Sequence, residues 1–566
     1  MRRRLLVTTI WAAGGLALGC DSSKDAPKPS DLPAVPAPEI PAEPANAPQP
    51  EAKLEEPAPI EQPDDTPPPP HPGPWLWVTR VSAGIYATPK KDSAQKLGYV
   101  KRGAKIPVLA EKVEGPDCSG GWLKLPSGGF VCSMIGTMDP KHTEARFPPR
   151  QPNIEDILPY TYVRNAHHGT PLYKSIPSRS KMCTYEPYAC ETKKEKEEKA
   201  AAEAAKQAEA APSADTTAPP SSESNETAEA PRENSATEQA LLAAAESLGE
   251  PPEATPPPEL KPWEDEERLH QVTHDKLELK GDPFVARHML KGFYVAVDKT
   301  IRWSGRAWYK TTKGLIAPAD RMWQVKGSTF HGVEIDGEEI TLPVGFVYGT
   351  KKSVVTYEID ENTLRMKPKG AAKKWEPLPL TGKTLKIQGK DYYELKNGTY
   401  ILGSAIRKTT PNPRPPEIGE KERWLDVDIS EQMLVAFEGD TPKYATLISS
   451  GRESKIKEKD HSTPRGMWRI REKHIVSTMD GDGTAAGDLP YSIEDVPYVM
   501  YYHQSYATHA AFWHQNYGSQ MSHGCINLAP LDAKWVFYFA GPELHEGYAG
   551  AWSTKDRPGS YVVVHD

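Results

Sequence analysis

Residues 21–74 hold 18 prolines in 54 positions, and Asp plus Glu outnumber Lys there by 11 to 3. Proline fixes φ and removes a backbone donor, so such a tract cannot build a helix or a central strand. Its like charges repel and it has little apolar surface to bury, so it is expected to be an extended acidic tether. Residues 191–260 are a second low-complexity tract, Lys/Glu/Ala-rich at its start and Ser/Thr/Pro/Glu-rich after it, and are expected to be a disordered linker. Folded matter is thereby confined to 75–190 and to the chain after 260. The formal charge of −8 argues against nucleic acid as a partner, because phosphate binding needs a basic face.

The N-terminus speaks to the compartment. Arg2, Arg3 and Arg4 precede an apolar run from Leu5 to Leu18, which has the length of a signal-peptide core and is short for a membrane span. It ends in Leu16-Ala17-Leu18-Gly19-Cys20. This resembles a bacterial lipobox, with Ala17 where leucine is usual. The resemblance implies residues 1–20 as a lipoprotein-type signal peptide, lipidation at Cys20, and an envelope protein tied to a membrane in the periplasm. The other cysteines are Cys118, Cys132, Cys183, Cys190 and Cys525. If the middle four pair locally as Cys118–Cys132 and Cys183–Cys190, Cys525 is left alone. Closing the first loop is worth about 3 kcal/mol in the chain-entropy model. No C-x-x-C spacing favours zinc, His167-His168 lacks a partner carboxylate, and Asp480-Gly-Asp482-Gly has Tyr491 where a calcium loop needs Glu. No metal or cofactor is expected.

Three short stretches share one pattern: an aromatic residue, five residues, a glycine, then apolar residues. They are Trp122 to Gly128, Trp308 to Gly314 and Tyr392 to Gly398. Each reads as a hairpin with a Gly turn. The pattern resembles bacterial SH3-like barrels, which implies small β-modules at 75–139, 261–345 and 346–410. Residues 140–190 are read as an extension with a disulfide. The family often binds wall material; spacer barrels are the plainer alternative.

The last segment, 421–566, alternates differently. Leu425, Val427 and Ile429 interleave with Asp426, Asp428 and Ser430, as in a half-buried strand. Met467 to Ile475 alternates again, and Tyr561 to Val564 reads as a closing strand. Asp532 to Phe539 carries helical spacing, with Asp532 able to cap it. The fold class expected is mainly β and multidomain, ending in a β-sandwich with one or two edge helices.

The chemistry gathers at Ser522-His523-Gly524-Cys525-Ile526-Asn527. A thiol near an imidazole is suited to nucleophilic acyl transfer. Residues i and i+2 of an extended segment share a face, so His523 and Cys525 can meet. Gly524 leaves room for a substrate carbonyl, and its N–H with that of Cys525 is a possible oxyanion donor pair.

These residues resemble the S-H-G-C signature of the L,D-transpeptidase catalytic domain, the YkuD-type family. Val496 to Tyr502 with Thr508 to Trp513, and Thr463-Pro464-Arg465-Gly466, are similar to its other conserved stretches. The resemblance implies Cys525 as nucleophile, His523 as general base and His509 as a second proton-transfer histidine. It implies that the Ala510 carbonyl orients His523, that Ser522 and Asn527 line the acceptor side, and that Trp513 walls the site. A tyrosine of the lid, among Tyr491, Tyr498 and Tyr502, would help the oxyanion. Ala510 replaces the usual glycine and Asn527 a frequent arginine. The implied substrate is the peptidoglycan stem peptide, crosslinked between third-position residues through a Cys acyl-enzyme. Carboxypeptidase or crosslink-cleaving action with the same thiol, and a wall-binding lipoprotein with an idle catalytic domain, stay open.

Overall fold

The structure is a computed structural model that describes residues 73–191, 261, 263, 268–482 and 489–566. The expected signal peptide with Cys20, the tether, nearly all of the linker and the tip of the 480–490 loop lie outside those residues. The described chain is mainly β. No described helix is long and apolar enough to cross a membrane.

Residues 75–139 form a small β-module around Leu76, Ile85, Val100, Ile106 and Val131. The first aromatic–glycine hairpin is present, Trp122–Lys124 against Phe130–Cys132. The Cys118–Cys132 disulfide spans its base. This module joins the C-terminal domain edge to edge, Gly98 opposite Ala551 and Tyr99 opposite Gly550.

The expected boundary at 190 and 261 is crossed by strand pairing. Thr161–Asn165 pairs with both Tyr294–Trp303 and Met322–Val325, and Thr170–Tyr173 pairs with Val285–Met289. The 140–190 segment is therefore half of a central module whose other half follows the linker. A shared core explains it: Val163 and Leu172 from before the linker pack with Met289, Val295 and Ala317 from after it. Cys183–Cys190 closes a short helix of this module. Its buried Glu186 carboxylate accepts from Tyr173 Oη and from Arg306, at 2.7 and 2.8 Å. A further module, between strands Val344–Val347 and Ile406–Lys408, holds the Tyr392 hairpin.

The C-terminal domain has two sheets that share the long strand Thr441–Ser449. In one, Arg423–Asp428 lies between Met433–Glu438 and the parallel closing strand Tyr561–His565. This strand is buried on both faces, so the alternation of Asp426 and Asp428 does not mark a wet side. The two carboxylates are hydrogen-bonded within the protein: Asp426 to His565 at 3.0 Å, Asp428 to Ser430 Oγ at 2.7 Å and to the Glu431 N–H at 2.9 Å. The other sheet runs through Glu472–Gly481, Tyr491–His503, Tyr506–Ala510 and Ile526–Leu528.

One helix, Pro530–Phe539, covers the core between the sheets, where Leu425, Ile448, Met500, Ile526 and Val536 meet. Asp532 does not cap it. The side chain is fully buried and accepts from the Gly332 N–H, Tyr444 Oη and Thr446 Oγ1 at 2.7, 2.7 and 2.6 Å. The last strand before that helix and the turn leading into it carry the motif residues.

Candidate active site

Ile526–Leu528 pairs in parallel with Tyr506–Ala510, with His509 opposite Asn527. Residues two apart share a face, so this register puts Cys525 and Asn527 on the same side as Ala507 and His509. Both Cys525 and His509 line a cavity of about 520 Å³. Ser522, His523, Trp513 and Tyr491 line it too.

The turn before Cys525 is locked by its own side chains. Ser522 Oγ donates to the Cys525 carbonyl at 2.5 Å and accepts from the Gly524 N–H at 3.0 Å. The Gly524 carbonyl accepts from Thr463 Oγ1 at 2.9 Å. Gly524 has φ +115, and a Cβ there would lie 2.4 Å from the Tyr506 ring. Only glycine fits both the torsion and the space. The expected oxyanion role for the Gly524 N–H is overturned by this geometry, because Ser522 already takes that donor.

The two histidines differ. His509 is buried, and its Nδ1–H donates to the Ala510 carbonyl at 3.2 Å. That bond fixes the tautomer and leaves the lone pair on Nε2. Burial pulls the ring down to about 4, so it is neutral at ordinary pH. His523 is exposed, and its Nε2 accepts from Arg452 Nη2 at 3.3 Å. Its ring stacks on Tyr491, centroids 5.6 Å apart, and meets His461 edge-on at 4.4 Å. The Ala510 carbonyl thus orients His509, where the resemblance implied His523. Burial pushes the Cys525 thiol up to about 11. A neutral thiol beside a neutral imidazole is a poised acid–base pair, the sulfur becoming nucleophilic as its proton leaves.

The three lid tyrosines separate clearly. Tyr491 faces the cavity, and burial raises its phenol above the ordinary range. Tyr498 is buried beside Phe537, and Tyr502 is buried near Trp468. Trp513 lies 5.6 Å from the His509 ring. Asn527 Nδ2 is 2.9 Å from His514 Nε2, while its Oδ1 is buried without a partner. His503 stacks on Trp468 and does not line the cavity. Among the described residues no cluster of three His, Cys, Asp or Glu side chains can hold a metal.

Sequence reasoning missed the wall across from the motif. Gly292 and Tyr294 of the central module line the same cavity. Tyr294 pairs in parallel with Ile493, and its ring lies 5.7 Å from Phe512 and 6.4 Å from Trp513. His274 of that module holds the root of the lid. Its N–H donates to Asp482 Oδ1 at 2.7 Å, and its Nε2 lies 3.0 Å from the Tyr491 carbonyl. No local signal marks these residues, since about 200 positions separate them from the motif.

Residues 422–563 match the family model described as YkuD, the L,D-transpeptidase catalytic domain. The C-terminal domain is a YkuD-type domain. Bacillus subtilis YciB, provisionally named an L,D-transpeptidase, is 29% identical over 138 residues, 22% of this chain. The chain spans 63% of the length of that relative. Solved structures similar to it include an Enterococcus faecium L,D-transpeptidase, 23% identical over 26% of this chain and 51% of that one, TM-score 0.20. A Mycobacterium smegmatis L,D-transpeptidase is 17% identical over 43% of this chain and 89% of its own, TM-score 0.20. The YkuD-type domain here differs from an isolated catalytic domain in one respect: its cleft has a wall supplied from outside 422–563.

Proposed function

We propose that the protein is an exported, lipid-anchored peptidoglycan L,D-transpeptidase working through a Cys525 thioester. The observation that carries this reading is the shared cavity of Cys525 and His509, with the His509 Nδ1–H held by the Ala510 carbonyl.

His509 Nε2 takes the Sγ proton as the sulfur attacks the carbonyl carbon of the third residue of a tetrapeptide stem. The tetrahedral oxyanion faces Tyr491, whose raised phenol keeps its proton and can donate. The C–N bond to the terminal D-Ala breaks, and the His509 proton passes to the departing amine. A side-chain amine of a second stem, its proton accepted by His509, then attacks the thioester. The C–S bond breaks, an amide joins two third-position residues, and the thiol regains its proton. His523 positions the entrance through Tyr491 and Arg452 and does not take the proton, which revises the role its motif position implied. Cys20, at the far end of the proline-rich tether, would tie the enzyme to a membrane while the tether gives it reach into the wall.

The test is product analysis. Residues 73–566 are incubated with a disaccharide-tetrapeptide, and products are resolved by mass. A crosslinked dimer, absent with Cys525→Ala, is the expected outcome. Tripeptide alone would make the protein a hydrolase, and no reaction at all would leave the catalytic domain idle.

A further inference from the structure

The central module packs on the catalytic domain through one row of its sheet and leaves the next row open. Thr161–Asn165 is the middle strand, with Met322–Val325 on one side and Tyr294–Trp303 on the other. Cross-strand partners point to one face. The row Val325, Tyr162 and Ala296 is packed in the core shared with Val496, Ala507 and Phe512. Two residues along, on the same face, the row is Trp323, Arg164 and Tyr294. Tyr294 is already a wall of the catalytic cavity.

Arg164 makes no side-chain hydrogen bond or ion pair among the described residues, and its Nε is buried without an acceptor. A half-buried guanidinium with unspent donors is costly unless something arrives to take them. The head of this side chain reaches the cavity rim: Nη2 would lie 3.9 Å from a Cβ on Gly292, a lining residue. Gly292 has φ +97, so the position disfavours any side chain that would cover the guanidinium. No carboxylate of the protein pairs with Arg164. Trp323, next in the row, is 63% exposed.

We infer that Arg164 is a specificity-determining residue that binds a carboxylate of the stem peptide, with Trp323 as an apolar shelf for the adjoining sugar or peptide. This rests on the peptidoglycan reading above and adds the feature of the substrate that is read. A guanidinium takes a carboxylate through two parallel N–H···O bonds, a geometry that a carboxamide cannot match in charge. The stem carries such carboxylates beyond its C-terminal one, and some can be amidated. The central module thus selects substrate by charge at a distance from the reacting bond.

The test is binding to the Cys525→Ala chain, residues 73–566, which cannot turn substrate over. Its probes are a disaccharide-tetrapeptide with free side carboxylates and the same compound amidated. The expected result is a preference of about 10- to 100-fold for the free acid. Arg164→Gln should abolish that preference, and Arg164→Lys should restore part of it. Trp323→Ala should weaken both compounds by a similar factor. Thermal unfolding of each variant shows that the fold is kept. Equal binding of acid and amide, or a preference that survives Arg164→Gln, overturns the inference and leaves the stem reading standing. No binding of either compound overturns both.

Discussion

The central module and the 344–408 module carry the same aromatic–glycine hairpin, yet they stand in different relations to the cleft. The central module adds Tyr294 to the 491–503 strand and puts two residues into the cavity wall. The 344–408 module joins the opposite side of the catalytic domain. Its Val344 and Phe346 pack with Trp424 and Tyr517, and Arg407 Nε donates to the Gly518 carbonyl at 3.0 Å. Its long hairpin, Ser353–Asp360 with Arg365–Lys373, is largely exposed. The hairpin motif therefore specifies a small β-module and says nothing of its task. The docking face decides the task, and that face is built from scattered residues such as Tyr162, Tyr294 and Arg407.

The difference can be broken most strongly at Tyr162. This side chain is fully buried, stacks on Phe512 at 4.1 Å and donates to the Asp495 carbonyl at 2.5 Å. Tyr162→Ala should cost about 3–5 kcal/mol by losing that packing, loosen the cavity wall and lower kcat/KM together with Tm. Unchanged kinetics would mean the wall is not needed.

The same interface should sense pH. Glu494 is buried, with Lys313 of the central module at 3.7 Å, and burial pushes its carboxyl up to about 7. The folded chain then binds a proton more tightly than the unfolded chain, whose Glu titrates near 4.5. Stability falls as pH rises from about 4.5 to 7, by up to about 3 kcal/mol, and stays lowered above that. Unfolding of wild type and Glu494→Gln at pH 5 and pH 8 checks this: the wild type should lose more Tm, and the variant should flatten the difference.

The smallest effect belongs to the other module. Arg407→Ala removes the bond to Gly518 and should cost about 1 kcal/mol, with kcat/KM unchanged. A large fall in activity would give this module a part in the cleft and end the contrast.

Much of the site was legible because its chemistry is local. Cys525, Ser522, Gly524, Asn527 and Trp513 lie within one short stretch, and every one of them lines or shapes the cavity. Tyr491, Tyr498 and Tyr502 could not be ranked in advance, since bulges in the 491–503 strand shift which side chains face the cleft. His523 read as the base because i and i+2 share a face in a strand, but the chain turns at Gly524 and is not extended there. The parallel pairing of Tyr506–Ala510 with Ile526–Leu528 puts His509 beside the thiol instead, a register that no spacing reveals. The central module was misdivided for a related reason: its two halves pair across a linker that carries no structural signal.

The central claim is that buried His509, oriented by Ala510, serves Cys525. It is tested most directly by following acylation of Cys525 by a tetrapeptide stem with intact-mass spectrometry in wild type, His509→Gln and His523→Gln. The account predicts that His509→Gln slows thioester formation by about 100-fold or more while His523→Gln changes it less than about tenfold. Normal acylation of His509→Gln with loss in His523→Gln would contradict it.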